Sequence, residues 1–187
     1  MSVNSDNCNN VTGSTISGNV KYDVASNTVT LNNVAISRTG SDNRAIFNES
    51  NAGLTVKLVG DNYLSATDAA PVRFQRASKM IVIGRTQITG GSEGGIYITG
   101  GYTLDIEGPG TLLINATSKG GIEGSSDNNF LTFYNISAEI YGGGGDLLDI
   151  YSVTFKGSAS PTNAPKDITL KSISASKPNV KNVTTMP

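Results

Sequence analysis

The chain has 187 residues, with 14 Lys and Arg against 15 Asp and Glu, and a formal net charge of −1. This balance argues against the broad basic surface that nucleic-acid binding normally requires. The absence of His and Trp and the single Cys exclude His-dependent catalytic triads, His-ligated metals and disulfide scaffolds. Ser, Thr, Asn and Gly make up 81 residues, while 37% of the chain is hydrophobic. A polar, turn-rich all-β protein fits this composition best.

The first 19 residues are polar and predict an N-terminal arm or part of a cap over the domain that follows. They lack the apolar segment of an export signal, and no stretch of the chain approaches the roughly 18 apolar residues of a membrane span. The Ser-, Thr-, Asn- and Gly-rich composition favours a mature, exported chain whose signal has been removed. We therefore expect an extracellular or cell-surface location.

From residue 20 onward, short apolar clusters recur with a period of about 25 residues. The first cluster of each unit begins at Val29, Val56, Ile81, Leu104 and Leu131. A second apolar position follows the end of that cluster by five or six residues, and a third cluster follows eight to ten residues later. Three clusters in constant phase predict three short strands per unit, rather than the hairpin spacing of a β-sandwich.

Gly and Asn dominate the corner between the first and second strand of each unit, as in Gly60-Asp61-Asn62 and Gly108-Pro109-Gly110. These residue types adopt positive φ at little steric cost. The repeat predicts an all-β fold, a single-stranded right-handed parallel β-helix, with about six coils of three short strands. This solenoid is predicted to cover residues 20–175, and residues 176–187 are predicted to form a C-terminal tail.

Stacking of the coils predicts continuous columns of apolar side chains inside the solenoid. One predicted inner column contains Val29, Val56, Ile81, Leu104 and Leu131. Another contains Ile46, Val72, Ile96, Ile122 and Leu148.

The middle residue of each third strand is expected to point outward, so that one residue per coil lines up on the surface. This row, called the ladder below, is predicted to contain Phe47, Arg73, Tyr97, Glu123 and Asp149. Aromatic rings and a guanidinium suit a sugar carrying a carboxylate, so Phe47, Arg73 and Tyr97 are the predicted carbohydrate-binding residues. Glu123 and Asp149, if adjacent, are predicted to share Ca²⁺. The alternative is that the ladder is an ordinary solvated surface.

Three segments resemble parts of a bacterial surface β-helix family that is pectin-lyase-like in shape and usually described as carbohydrate-binding. Residues 22–34 resemble the opening of that family, residues 54–64 its second coil, and residues 108–114 its recurrent glycine-corner coil. The resemblance covers residues 20–155. It implies an exported protein that binds acidic plant or microbial polysaccharide, with calcium in some members, and it carries over no catalytic motif.

The leading hypothesis is a non-catalytic glycan-binding or adhesion module of an exported bacterial protein, with a uronate-rich polysaccharide as partner. One alternative is a polysaccharide lyase or hydrolase, because carboxylates about 5 Å apart are compatible with retaining glycoside hydrolysis. A second alternative is a purely structural spacer, favoured by the absence of Trp and the 6% aromatic content. We expect no nucleic-acid partner and no membrane span, and the oligomeric state stays open.

Overall fold

A computed structural model describes residues 2–3, 16–125, 128–157, 168–170 and 182–186. Its strands, in chain order, are β1 (Ser2–Val3), β2 (Ile16–Asp23), β3 (Thr28–Arg38), β4 (Ile46–Asn48), β5 (Leu54–Ala66), β6 (Val72–Phe74), β7 (Ser78–Gly90), β8 (Ile96–Ile98), β9 (Thr103–Glu107), β10 (Thr111–Ala116), β11 (Gly120–Gly124), β12 (Phe130–Tyr134), β13 (Ser137–Gly142), β14 (Gly145–Leu148), β15 (Ser152–Lys156), β16 (Ile168–Leu170) and β17 (Asn182–Met186). Over these ranges the chain has no helix long and apolar enough to cross a membrane.

Parallel pairing between successive turns of the chain forms a β-solenoid of about five turns. The solenoid has three faces, numbered in the order in which each coil passes through them. The third face is a sheet with the strand order β1, β4, β6, β8, β11 and β14. The other two faces belong to one long sheet, because β3, β5 and β7 each run along the first face, bend at a corner and continue along the second. The first face continues through β9, β12, β15 and β17, and the second through β10, β13 and β16. The predicted all-β solenoid with three strands per coil is confirmed, at about five turns against the predicted six.

The core consists of apolar columns, with at least one behind each face. The column behind the third face contains Ile46, Val72, Ile96, Ile122 and Leu147. The column behind the second face contains Ile36, Leu64, Ile88, Ile114 and Ile140. Complete burial of one such side chain contributes roughly 1.5–3 kcal/mol, so these columns are the main stabilising element of the fold.

The predicted first-face column is wrong at Ile81. Its last two members, Leu104 and Leu131, are buried and pair with each other, but they belong to a neighbouring column with Leu54 and Ser78. The buried residue that pairs with Val56 is Met80, not Ile81, and Ile81 lies half-buried on the outer side. The column that begins at Val29 continues through Val56, Met80, Ile106 and Phe133. Residues 80–83 are all apolar, so alternation along this strand is compatible with either phase.

The last member of the predicted third-face column is also displaced by one residue. Leu147 pairs with Ile122 and is buried, while Leu148 pairs with Glu123 on the outer side. Two consecutive leucines again make the strand phase ambiguous in the sequence, and a slip of one residue exchanges the inner and outer sides.

The ends of the solenoid carry additional strands. β2 pairs antiparallel with β3 and covers the N-terminal edge of the long sheet, while β1 extends the third face. Covering an edge satisfies backbone groups that would otherwise pair with other chains. β2 crosses the predicted boundary at residue 19, and β17, within the predicted tail, pairs with β15. The division into arm, solenoid and tail stays a prediction because residues 4–15, 158–167 and 171–181 lie outside the described residues.

Close approach of successive coils requires glycine at the second corner. A Cβ on Gly91 would overlap the carbonyl oxygen of Thr67 in the preceding coil, although the φ of Gly91 lies outside the left-handed range. Gly53 is the converse case, because its φ is +72° but no atom lies within 4 Å of the position its Cβ would take.

We expect Gly91→Ala to lower the free energy of unfolding by about 3 kcal/mol, because two backbone segments must separate to admit the methyl group. The control Gly53→Ala is expected to cost about 1 kcal/mol, from backbone strain alone. Urea denaturation followed by circular dichroism measures both values. Equal losses for the two variants would contradict close backbone packing at Gly91.

Candidate functional site

The ladder lies on the third face, where β4, β6 and β8 are each three residues long. In each of these strands the middle residue is partly exposed between two buried neighbours. Pairing places Phe47 beside Arg73, Arg73 beside Tyr97, and Tyr97 beside Glu123. The structure therefore brings four of the five predicted residues into one row, with successive rungs about 4.8 Å apart.

Arg73 lies at the centre of the ladder, between two aromatic rings. Its Cζ atom is 5.8 Å from the centroid of the Phe47 ring and 5.2 Å from that of the Tyr97 ring. Both distances lie within the range of cation–π attraction. When the Gln75 amide is oriented with Oε1 towards the guanidinium, it accepts hydrogen bonds from Arg73 Nε and Nη2 at 3.3 and 3.1 Å. These contacts hold the guanidinium plane in one orientation on a partly exposed surface.

A second arginine contacts the first ring of the ladder. The Cζ atom of Arg44 lies 5.5 Å from the centroid of the Phe47 ring. Its side chain is only 4% exposed, and its Nη2 atom lies 2.9 Å from Glu93 Oε2. Arg73 differs, because no ion pair includes it within the part of the chain that the structure describes. The charge of Arg44 is thus compensated inside the protein, whereas the partly exposed Arg73 has no carboxylate partner among the described residues.

The loop that carries Arg44 is attached to the next coil by Asp68. Its Oδ2 atom accepts hydrogen bonds from Thr67 Oγ1 at 2.7 Å and from the Gly40 backbone N–H at 3.0 Å. These two bonds, the Thr67 hydroxyl foremost, hold the pKa of Asp68 below its ordinary value. A lowered carboxyl pKa stabilises the fold above the ordinary value, and that contribution is lost as the pH falls through the lowered one.

Glu123 is on the ladder but is buried. Its carboxylate accepts hydrogen bonds from the Gly120 backbone N–H at 3.3 Å and from Lys119 Nζ at 3.4 Å. The prediction that Asp149 occupies the next rung is wrong, because Leu148 pairs with Glu123 and Asp149 lies in the turn after β14, with φ of +52°.

The register therefore does not stack the two carboxylates predicted to hold calcium. Among the described residues, no three His, Cys, Asp or Glu side chains are grouped so that they could hold a metal ion. A calcium role for Glu123 and Asp149 stays a prediction, and no step below depends on it.

Four residues near the ladder were missed by reasoning from the sequence. They are Arg44 and Gln75, described above, together with Arg76 and Tyr102. The Cζ atom of Arg76 lies 5.6 Å from the centroid of the Tyr102 ring. Gln75 follows Arg73 by two residues, so the two-residue period of a strand was a signal that could have found it. Arg44 reaches Phe47 through the path of a corner loop, for which the sequence carries no comparable signal.

Comparison of the chain with protein-family models, with curated proteins and with solved structures finds no match. The class defined by the structure is accordingly that of the fold, a parallel β-solenoid. Any inference about function therefore depends on the chemistry of the surface.

We expect Glu93→Gln to lower the free energy of unfolding by about 2 kcal/mol, because it weakens the compensation of the buried Arg44 charge. A matched control is Glu107→Gln, since Glu107 Oε1 lies 2.8 Å from the Nζ atom of Lys79, whose side chain is 40% exposed. The control is expected to cost less than about 1 kcal/mol. Chemical denaturation compares the two, and a control as damaging as Glu93→Gln would contradict the assigned role of burial.

Proposed function

We propose that the protein is a non-catalytic carbohydrate-binding or adhesion module whose ladder binds an acidic, uronate-rich polysaccharide. The observation that carries the proposal is the Arg73 guanidinium, which is oriented by two rings and Gln75 and has no carboxylate partner in the described part of the chain. The resemblance to the pectin-lyase-like surface family supports the same ligand class. The proposal includes an extracellular or cell-surface location on a bacterium.

The hydrogen-bonding capacity of Arg73 supports recognition of a carboxylate. A guanidinium has five N–H donors, and Gln75 accepts from two of its three nitrogen atoms. The remaining donors can bind both oxygens of a uronate carboxylate, a geometry that lysine does not reproduce. Because the guanidinium is already oriented, binding costs less conformational entropy than it would for a free arginine side chain.

The rings on either side of Arg73 contribute the apolar part of the proposed site. Phe47 and Tyr97 are both partly exposed, and they lie one rung before and one rung after Arg73. Aromatic surfaces pack against the C–H faces of sugar rings. A polymer lying along the solenoid axis would contact a ring, a guanidinium and a second ring in succession.

The hydrolase alternative finds no support at the ladder. It required Glu123 and Asp149 as stacked carboxylates, but the residue beside Glu123 is Leu148 and Glu123 itself is buried. The spacer alternative is decided by the binding measurement below.

We expect the protein to bind polygalacturonate, and we expect Arg73→Ala and Arg73→Lys each to weaken binding about tenfold or more. Tyr97→Ala is expected to weaken it less, because it removes one ring but keeps the charge. The matched control is Lys156→Ala, which removes an exposed positive charge on the first face and is expected to leave the affinity unchanged. Isothermal titration calorimetry measures all four variants, and circular dichroism verifies their folding.

The titration is carried out with added calcium and again with a chelator. Loss of affinity on Arg73→Ala in either condition supports the proposal, and a difference between the conditions assigns calcium a part in it. Absence of binding in both conditions, or equal losses for Arg73→Ala and Lys156→Ala, would overturn the proposal and favour the spacer.

A further inference from the structure

A groove lies at the corner between the first and second faces, away from the ladder on the third face. This corner groove has a volume of about 280 Å³, at the small end of the range for ligand pockets. Residues from three consecutive coils line it, among them Asn33, Asp61, Asn62, Tyr63, Arg85 and Gln87.

The corner beside the groove is formed by glycine in two successive coils. Gly60 and Gly84 pair in register at the corner, so two successive coils place no side chain there. The buried Asn62 fixes this backbone, because its Oδ1 atom accepts a hydrogen bond from the Val34 N–H at 3.1 Å and its Nδ2 atom donates to the Val59 carbonyl at 3.0 Å. The groove is thus a rigid feature of the coil path.

The wall of the corner groove carries four outward side chains on two adjacent rungs. Asp61 pairs in register with Arg85, and Tyr63 pairs in register with Gln87. The tyrosine is 37% exposed, and both charged residues are exposed. Over the described ranges of the chain, neither Asp61 nor Arg85 forms an ion pair.

We propose that the corner groove binds one neutral pyranose unit, as a second sugar site that is independent of the ladder. The Asp61 carboxylate accepts hydrogen bonds from two neighbouring sugar hydroxyls, and Arg85 and Gln87 donate to sugar oxygens. The Tyr63 ring packs on the C–H face of the sugar.

The charge of the corner groove selects a neutral ligand. One carboxylate and one guanidinium on adjacent rungs cancel, and the carboxylate of Asp61 repels an anionic sugar. At the ladder, in contrast, Arg73 has no carboxylate partner among the described residues. The two sites therefore differ in the ligand charge that they accept.

The test is a titration of the ¹⁵N-labelled full chain with methyl β-glucopyranoside, methyl β-galactopyranoside and methyl α-mannopyranoside in turn. Binding is monitored through the amide chemical shifts in NMR spectra. We expect at least one of these probes to cause saturable shifts at Asp61, Tyr63, Arg85 and Gln87. Tyr63→Ala is expected to weaken that binding about tenfold. The matched control is Tyr134→Ala on the first face, where the tyrosine is 43% exposed, and it is expected to change nothing.

Asp61→Asn serves as a second variant if Tyr63→Ala does not fold, because it keeps the shape of the groove and removes the charged acceptor; it is expected to weaken binding several-fold. The inference would be overturned if none of the three probes caused saturable shifts at the corner groove. It would also be overturned if the folded variants bound the probe with unchanged affinity. Polygalacturonate binding should be unaffected by Tyr63→Ala, and probe binding should be unaffected by Arg73→Ala. Failure of one site is thereby distinguished from failure of the other.

Discussion

Parallel hydrogen bonding between successive coils is the interaction on which this structure depends. One coil alone can neither pair its backbone groups nor bury its apolar side chains, so each coil is stable only against its neighbours. Buried amides complete the pairing where the strands bend. Asn62 accepts from the Val34 N–H in the preceding coil, and Asn48 Nδ2 donates to the Asn51 backbone carbonyl at 2.8 Å. These corner residues serve the backbone, as buried polar groups generally must.

The same pairing that fills the interior also orders the surface. Residues that are about 25 positions apart in the chain become neighbours on one face, as Phe47, Arg73 and Tyr97 do on the ladder. Whether such a row has a chemical role depends on what else contacts it. Arg44 and Arg73 both contact Phe47, but of these two only Arg44 has a carboxylate partner within the described ranges, at 2.9 Å. This difference in local compensation is what distinguishes a structural arginine from a candidate binding residue.

The sequence predictions were correct where inward and outward residues alternate clearly along a strand. The register of the ladder was predicted correctly from Phe47 to Glu123, although Glu123 is buried, because each of these residues lies between residues that alternation places inside. The predictions failed where apolar residues are consecutive, at Met80 with Ile81, and again in the coil that ends at Asp149. In such runs both phases bury a similar apolar area, so the local pattern does not decide between them. The register is decided by contacts with the neighbouring coil, such as the pairing of Gly60 with Gly84.

The sequence by itself determined that the chain is an all-β solenoid with three strands per coil, because the spacing of apolar clusters and of Gly- and Asn-rich corners is a local property that is repeated along the chain. Only the tertiary structure decided which outer residues meet and which charges are compensated. Arg44 and Arg85 each follow a turn-forming residue in the sequence, Asn43 and Gly84, yet one is buried against Glu93 and the other lines an open groove. Compensation depends on distances across coils, and those distances exist only once the register is set.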